Sequence, residues 1–116
     1  MLAPPAAPEK REHYRLHFPP TERPLLVIGE RHYEVVDCSV RGLRCLINEW
    51  QSPIPADQPV IGLVQFRGRH AAPIRGLVIR IRHHEIALHL PEGEIPFRIL
   101  RSEERYLIAQ HRAKAE

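Results

Sequence analysis

The chain has 116 residues, of which 43% are hydrophobic and 27% charged, and its formal net charge at pH 7 is +3. These values are typical of one globular domain and leave little room for a deep, many-walled catalytic cleft. The pI of about 9.2 favours an anionic partner, although so small a net charge does not itself predict a long polyanion. No apolar run approaches the roughly eighteen residues that span a membrane, and no leader sequence is visible at the start. We therefore predict a cytoplasmic protein without membrane insertion.

The first residues are rich in alanine and proline, which favours a flexible lead-in over residues 1–9. Residues 10–15, with the sequence KREHYR, form a basic segment with one aromatic ring, and a short strand-like alternation follows. We predict one domain over residues 10–112 and a short tail over residues 113–116.

From residue 25 onward, apolar residues recur with the period of two that is typical of β-strands. We predict strands over residues 25–28, 32–36, 43–47, 60–66, 74–82 and 86–90, joined by turns at 29–31, 37–42, 67–70 and 83–85 and by a loop over 48–58. Within 74–82, the apolar set Ile74, Leu77, Ile79 and Ile81 is predicted to oppose a solvated set, Arg75, Arg80 and Arg82, with Gly76 as a possible bulge.

After Gly93 the apolar period becomes helical, so we predict a C-terminal helix with Ile99, Leu100 and Leu107 inward and Glu103 on a solvated face. The short connections between strands favour antiparallel pairing and closure into a barrel. The predicted fold class is therefore mainly β: a six-stranded antiparallel β-barrel with one C-terminal α-helix.

The patterns for metal binding and catalysis are weak. The eight histidines form no H-x-x-x-H motif on a predicted helix, and Cys38 and Cys45 form no C-x-x-C pair. No G-x-S-x-G elbow carries a serine nucleophile. We predict no catalytic residue, no metal and no cofactor, and two partly buried, reduced thiols.

Residues 35–45 indicate the end of one strand, a polar turn and the start of the next strand. Asp37, Ser39 and Gly42 form a D-x-S-x-x-G pattern within it. By themselves these are ordinary turn residues, since Asp and Ser bond their own backbone and Gly permits a positive φ. Upstream, Arg11 and Arg15 form an R-x-x-x-R pattern.

The two patterns together resemble the PilZ domains, bacterial receptors for the second messenger cyclic di-GMP. That family carries R-x-x-x-R just before its first strand and [D/N]-x-S-x-x-G in a strand-connecting turn, and this chain has both in that order. The resemblance extends over about residues 10–111, including the closing helix. It implies a split-barrel fold, and it implies that cyclic di-GMP is bound by Arg11, Arg15, Asp37, Ser39 and Gly42.

The chemistry of these residue types suits such a ligand. Arginine pairs bidentately with guanine edges and with phosphates, and each good pair contributes roughly 1–3 kcal/mol. Exposed acceptors on Asp37 and Ser39 would bind guanine N–H groups, and Gly42 would let the backbone approach the base. Further candidate contacts are Lys10, Arg44 and Arg80.

The resemblance implies an adaptor whose N-terminal segment orders on ligand binding and then regulates a bacterial effector protein in motility, biofilm formation or virulence. One alternative is a ligand-independent PilZ-like module that acts through protein contacts alone. Another is a small barrel that binds single-stranded nucleic acid through the Arg75, Arg80 and Arg82 face. The small number of aromatic residues (three Phe, three Tyr and one Trp) disfavours nucleic acid as a partner.

Overall fold

The computed structural model describes residues 13–48, 50–51 and 54–115. The elements within them are the strands β1 (Leu16–His17), β2 (Leu25–Ile28), β3 (Arg31–Ser39), β4 (Gly42–Leu46), β5 (Val60–Gln65), β6 (Ala71–Arg82) and β7 (Glu85–His89), a 3-10 helix (Pro20–Glu22) and the helix α1 (Phe97–Ala115). The predicted lead-in and two predicted ligand contacts, Lys10 and Arg11, lie outside the described residues.

Six strands close into a ring in the order β3, β2, β5, β6, β7, β4, with β4 pairing back onto β3. Each pairing is antiparallel. Strand β1 lies outside the ring and extends the edge of β3, with Leu16 opposite Cys38. The predicted six-stranded barrel with a C-terminal helix is therefore confirmed.

Alternate strand residues point into the barrel because successive side chains of a strand lie on opposite faces. The buried side chains that fill the barrel include Leu26, Val35, Leu43, Val64 and Leu88. Full burial of one such side chain contributes about 1.5–3 kcal/mol. Helix α1 adds Ile99 and Leu100 to the same core. No helix in the described part of the chain is long and apolar enough to cross a membrane.

The turn between β3 and β4 is shorter than predicted. Only Val40 and Arg41 form it, while Asp37 and Ser39 belong to β3 and Gly42 begins β4. Ladder pairing continues to the turn, with Ser39 opposite Gly42. The predicted turn over residues 37–42 is therefore wrong in extent, because cross-strand pairing extends the strands past the point where the apolar alternation stops.

The predicted inward face of β6 is also wrong. Ile74 is buried, but Leu77, Ile79 and Ile81 are 45%, 62% and 55% exposed. Gly76 occupies an inward position where a Cβ would lie 2.9 Å from Leu90 Cδ2, and the bulge falls between Val78 and Arg80 instead. A small residue on the core side was therefore mistaken for an irregularity in the strand.

Helix α1 is joined to the β5–β6 turn by a buried carboxylate. Glu103, predicted to face solvent, is 1% exposed. Its Oε1 accepts a hydrogen bond from the Gly68 N–H at 2.9 Å, and its Oε2 lies 3.0 Å from His70 Nδ1. The prediction failed because helical period alone does not show that a polar turn will meet the helix at this point.

We expect Glu103→Ala to lower the free energy of unfolding by about 1–3 kcal/mol, because two polar groups of the turn would lose their buried acceptor. The exposed Arg105 on the same helix provides the control, and Arg105→Ala should change the free energy by no more than about 0.5 kcal/mol. Urea unfolding followed by circular dichroism measures both. Equal losses in the two variants would contradict a role for the buried carboxylate.

Candidate functional site

Arg15 is held against the barrel by the residues on either side of it. Tyr14 packs edge-to-face against Phe97 of α1, with ring centroids 5.6 Å apart. After Arg15, Leu16 and His17 form β1, and this strand places His17 opposite Asp37 in β3. The guanidinium of Arg15 is thereby positioned beside the Asp37 carboxylate.

Asp37 is a fully buried carboxylate shared by two arginines. Its side chain is 0% exposed, whereas those of Arg15 and Arg44 are each 38% exposed. Oδ1 accepts a hydrogen bond from Arg15 Nη1. Oδ2 accepts one from Arg44 Nε at 2.8 Å and another from Arg44 Nη2. The remaining polar neighbour is His17, whose Nδ1 lies 3.5 Å from Oδ2.

The charges of the two arginines keep Asp37 ionised. Burial on its own would raise the pKa of Asp37, but hydrogen bonds and charge from Arg44 and Arg15 outweigh it, and the pKa lies below its ordinary value of 3.8. The hydrogen bonds to Asp37 in turn raise the pKa of Arg44. Arg44 also donates through Nη1 to Glu85 Oε1 at 3.0 Å. The result is a fixed row of charges across β3, β4 and β7.

The prediction that Asp37 and Ser39 expose acceptors to a ligand is wrong for this structure. Both Asp37 oxygens are occupied, and Ser39 is 5% exposed with its Oγ donating to the Gly42 carbonyl at 3.4 Å. The expected positive φ of Gly42 is also absent, since the positive-φ glycines of the described chain are Gly29 and Gly93. Asp37 and Ser39 therefore brace the site from within.

Gly42 is required at its position by close approach. A Cβ there would lie 3.3 Å from the Leu88 carbonyl oxygen and 3.4 Å from Arg15 Nη2. The first separation is tighter than most Cβ contacts, and the second lies at the lower limit of ordinary van der Waals contact. A larger residue would therefore displace Arg15 from Asp37 or push β7 away from β4.

A cavity of about 340 Å³ opens on the outer face of β4, β7 and β6, beside Arg15. Arg44 and Arg80 both lie opposite Ala87, so this small side chain separates two guanidinium groups on one face. Arg41, whose Nη1 donates to the Pro91 carbonyl at 2.6 Å, is also among the lining residues. Four arginines therefore line one cavity, and none of its lining residues is acidic.

The structure brings together most of the residues predicted for ligand binding. Those that line the cavity are Arg15, Ser39, Gly42, Arg44 and Arg80. Asp37 lies beneath it and contacts two of the lining arginines. Two polar lining residues, Arg41 and His89, were not predicted as ligand contacts.

Some signal for the missed residues was present in the sequence. Arg41 lies inside the D-x-S-x-x-G pattern. His89 carries no such signal, because only strand pairing places it opposite Gly42. Two larger cavities, of about 740 and 670 Å³, lie elsewhere, and their linings contain one arginine and none, respectively.

Comparisons with known proteins support the architecture alone. No family model matches the sequence, and a search of curated proteins finds no significant match. Among solved structures, the chain is similar to an uncharacterized protein of Legionella, with a TM-score of 0.57 and 16% sequence identity. The alignment covers 89% of this chain and 96% of the Legionella chain. At this identity the likeness establishes a shared fold.

We expect Asp37→Asn to lower the free energy of unfolding at pH 7 by about 1–3 kcal/mol, because a buried ionised acceptor of two arginines is lost. The folded-state pKa of Asp37 lies below 3.8, so its stabilisation is complete above that pH and is lost as the pH falls through the folded-state value. The difference between wild type and variant should therefore be constant from pH 7 to about 5 and shrink below about 4.

Urea unfolding at a series of pH values measures this difference. Asp57 is an exposed aspartate in the β4–β5 loop, so Asp57→Asn should follow wild type at every pH. A difference between Asp37→Asn and wild type that grows on acidification would contradict the ion-pair assignment.

Proposed function

We propose that this protein is a PilZ-like receptor for cyclic di-GMP and that the arginine-lined cavity is its ligand site. The observation that carries the proposal is the convergence of Arg15, Arg41, Arg44 and Arg80 on one cavity whose lining residues include no carboxylate. The R-x-x-x-R and D-x-S-x-x-G patterns support it, since both contribute residues to this cavity. A dianionic dinucleotide with two guanines matches that set of donors.

The site has the preorganisation that tight anion binding requires. Two nitrogens of Arg44 bind Asp37 and a third binds Glu85, which orients this guanidinium before a ligand arrives. Arg15 is anchored to Asp37 through one nitrogen. A guanidinium has five N–H donors, so each arginine retains donors for a phosphate or a guanine edge. Prior ordering of the donors lowers the entropic cost of binding.

In this proposal Asp37, Ser39 and Gly42 act chiefly by holding the cavity in shape. Arg15, Arg44 and Arg80 contact the ligand directly. On binding, the N-terminal segment changes conformation and presents a changed surface to an effector protein. The protein then works as a non-catalytic cytoplasmic adaptor in bacterial signalling.

A second candidate function is a PilZ-like module that acts through protein contacts without any ligand. One observation favours it: the Asp37 carboxylate is already satisfied by Arg15 and Arg44 within the protein. A site whose charges neutralise one another is stable without an anion. The binding experiment below separates the two candidates.

We expect calorimetric titration to show micromolar binding of cyclic di-GMP by the wild-type protein. Arg15→Ala and Arg80→Ala should each weaken binding by about 5- to 150-fold, since one arginine pair contributes roughly 1–3 kcal/mol. Arg11→Ala tests the N-terminal segment in the same titration. Raising the salt concentration should weaken binding in every variant, because the ligand is anionic.

Arg75→Ala is the matched control. Arg75 is an exposed arginine on β6, the strand that carries Arg80, but it does not line the cavity. Its variant should bind as tightly as wild type. No heat of binding by wild type up to ~100 µM would refute the receptor proposal and favour the ligand-independent module. Equal losses in Arg75→Ala and Arg80→Ala would refute the assignment of the site.

A further inference from the structure

Strand β6 is paired differently along its two halves. Residues 71–76 pair with β5, whereas residues 77–82 pair with β7. Since β6 lies between β5 and β7 in the ring, each half has one edge paired with a strand and a second edge without a strand neighbour. No strand of the described chain pairs with the β5-side edge of residues 77–82. An unpaired edge presents a row of backbone N–H and C=O groups that another chain can use.

The corresponding edge of the first half is closed by the protein itself. The Arg75 N–H donates to Glu94 Oε2 at 3.0 Å, while Glu94 Oε1 accepts from the Glu92 N–H at 2.8 Å. The Leu90 side chain and the His89 carbonyl lie close to Gly76 on the same side. A carboxylate thus takes the place of a neighbouring strand at one position of β6. Within the described residues, no similar cap is found on the β5-side edge of residues 77–82.

The side chains along the open edge combine apolar surface with positive charge. Leu77, Ile79 and Ile81 are each about half exposed or more, and Arg80 and Arg82 between and after them are exposed as well. Residues 77–82 contain no acidic residue. Exposed isoleucines in a row are unusual on a surface with no partner, because removing each apolar side chain from water is energetically favourable.

Charge decides which occupant this edge favours. Antiparallel pairing with the same edge of a second copy would bring Arg80 and Arg82 close to their own counterparts, and like charges facing each other across strands are destabilising. An extended segment with alternating acidic and apolar residues would place carboxylates beside the two arginines. Its apolar residues would lie on the opposite face of the sheet, where Ile81 pairs with the buried Ile86.

We propose that residues 77–82 of β6 are a docking edge for an acidic, extended segment of a partner protein, which adds to the sheet as one more strand. Backbone hydrogen bonds would supply affinity, and the alternating arginines and isoleucines would supply specificity. Ile79 and Arg80 also line the arginine cavity, whereas Ile81 and Arg82 do not. The last two residues therefore test the edge without altering the ligand site.

The experiment uses the full chain and a fluorescein-labelled heptapeptide of alternating Glu and Val, read by fluorescence anisotropy. We expect binding at roughly 10–100 µM and none by a Lys–Val peptide of the same length. Ile81→Asp and Arg82→Glu should each weaken binding at least about tenfold, since each reverses the apolar or the charge match. Two further peptides carry N-methyl groups, one on every Glu and the other on every Val. Only one of them should lose binding, because the N–H groups that pair with β6 come from alternate residues.

Ile108 on α1 is 46% exposed, comparable to Leu77, so Ile108→Asp is the matched control and should bind the acidic peptide as wild type does. Thermal melts confirm that each variant is folded. If Ile81→Asp does not fold, Arg82→Glu tests the edge in its place. Equal binding of the acidic and basic peptides, or no binding of either, would overturn the proposal. An Ile81→Asp-sensitive dimer in sedimentation would also overturn it, because the occupant would then be a second copy.

Discussion

The buried ion pair between Asp37 and its two arginines is the interaction on which the candidate site depends. It joins the residue before β1 to the end of β3 and the middle of β4, the two strands of a tight hairpin. Removing one member of such a group leaves an uncompensated charge, so the three parts are constrained together. The same contacts orient two of the four arginines that line the cavity. One carboxylate therefore holds these segments together and orients two arginines of the candidate site.

Closure of the barrel extends this arrangement into a surface. The register of β4, β7 and β6 aligns Arg44, Ala87 and Arg80 across three strands. Because Ala87 is small, β7 forms the bottom of the cavity and does not fill the space between the two arginines. The cavity forms where β7 pairs with both of its neighbours, so the candidate site depends on correct strand pairing.

Carboxylates also manage the backbone groups that the strands leave unpaired. Glu94 accepts from the Arg75 N–H at one edge of β6, and Glu103 accepts from the Gly68 N–H at the β5–β6 turn. Glu94 replaces a missing strand neighbour and Glu103 satisfies a turn N–H, and in both cases the charged acceptor makes a stronger hydrogen bond than a neutral one. The second half of β6 lacks this device on its β5 side within the described residues. This difference distinguishes the proposed docking edge from the rest of the barrel surface.

The sequence alone was enough to predict the six-stranded barrel, most strand positions and the C-terminal helix, because apolar period and turn residues are local signals. It also identified the residues of the two patterns, four of which meet at or beneath the cavity: Arg15, Asp37, Ser39 and Gly42. Arg44, predicted as a further contact outside the patterns, lines the same cavity. The resemblance to PilZ domains and the ligand that it implies stay predictions.

Only the tertiary structure decided which polar groups face inward. Asp37 and Glu103 are buried because arginines and a polar turn from distant parts of the chain neutralise or hydrogen-bond them. Leu77 is exposed because an inward Gly76 sets the phase of β6. Ile81 is exposed although it pairs with the buried Ile86, because β5 pairs only with residues 71–76. A residue's environment depends on partners that sequence spacing does not reveal. The D-x-S-x-x-G pattern therefore marks where the site lies, while the fold decides that its aspartate orients arginines from within.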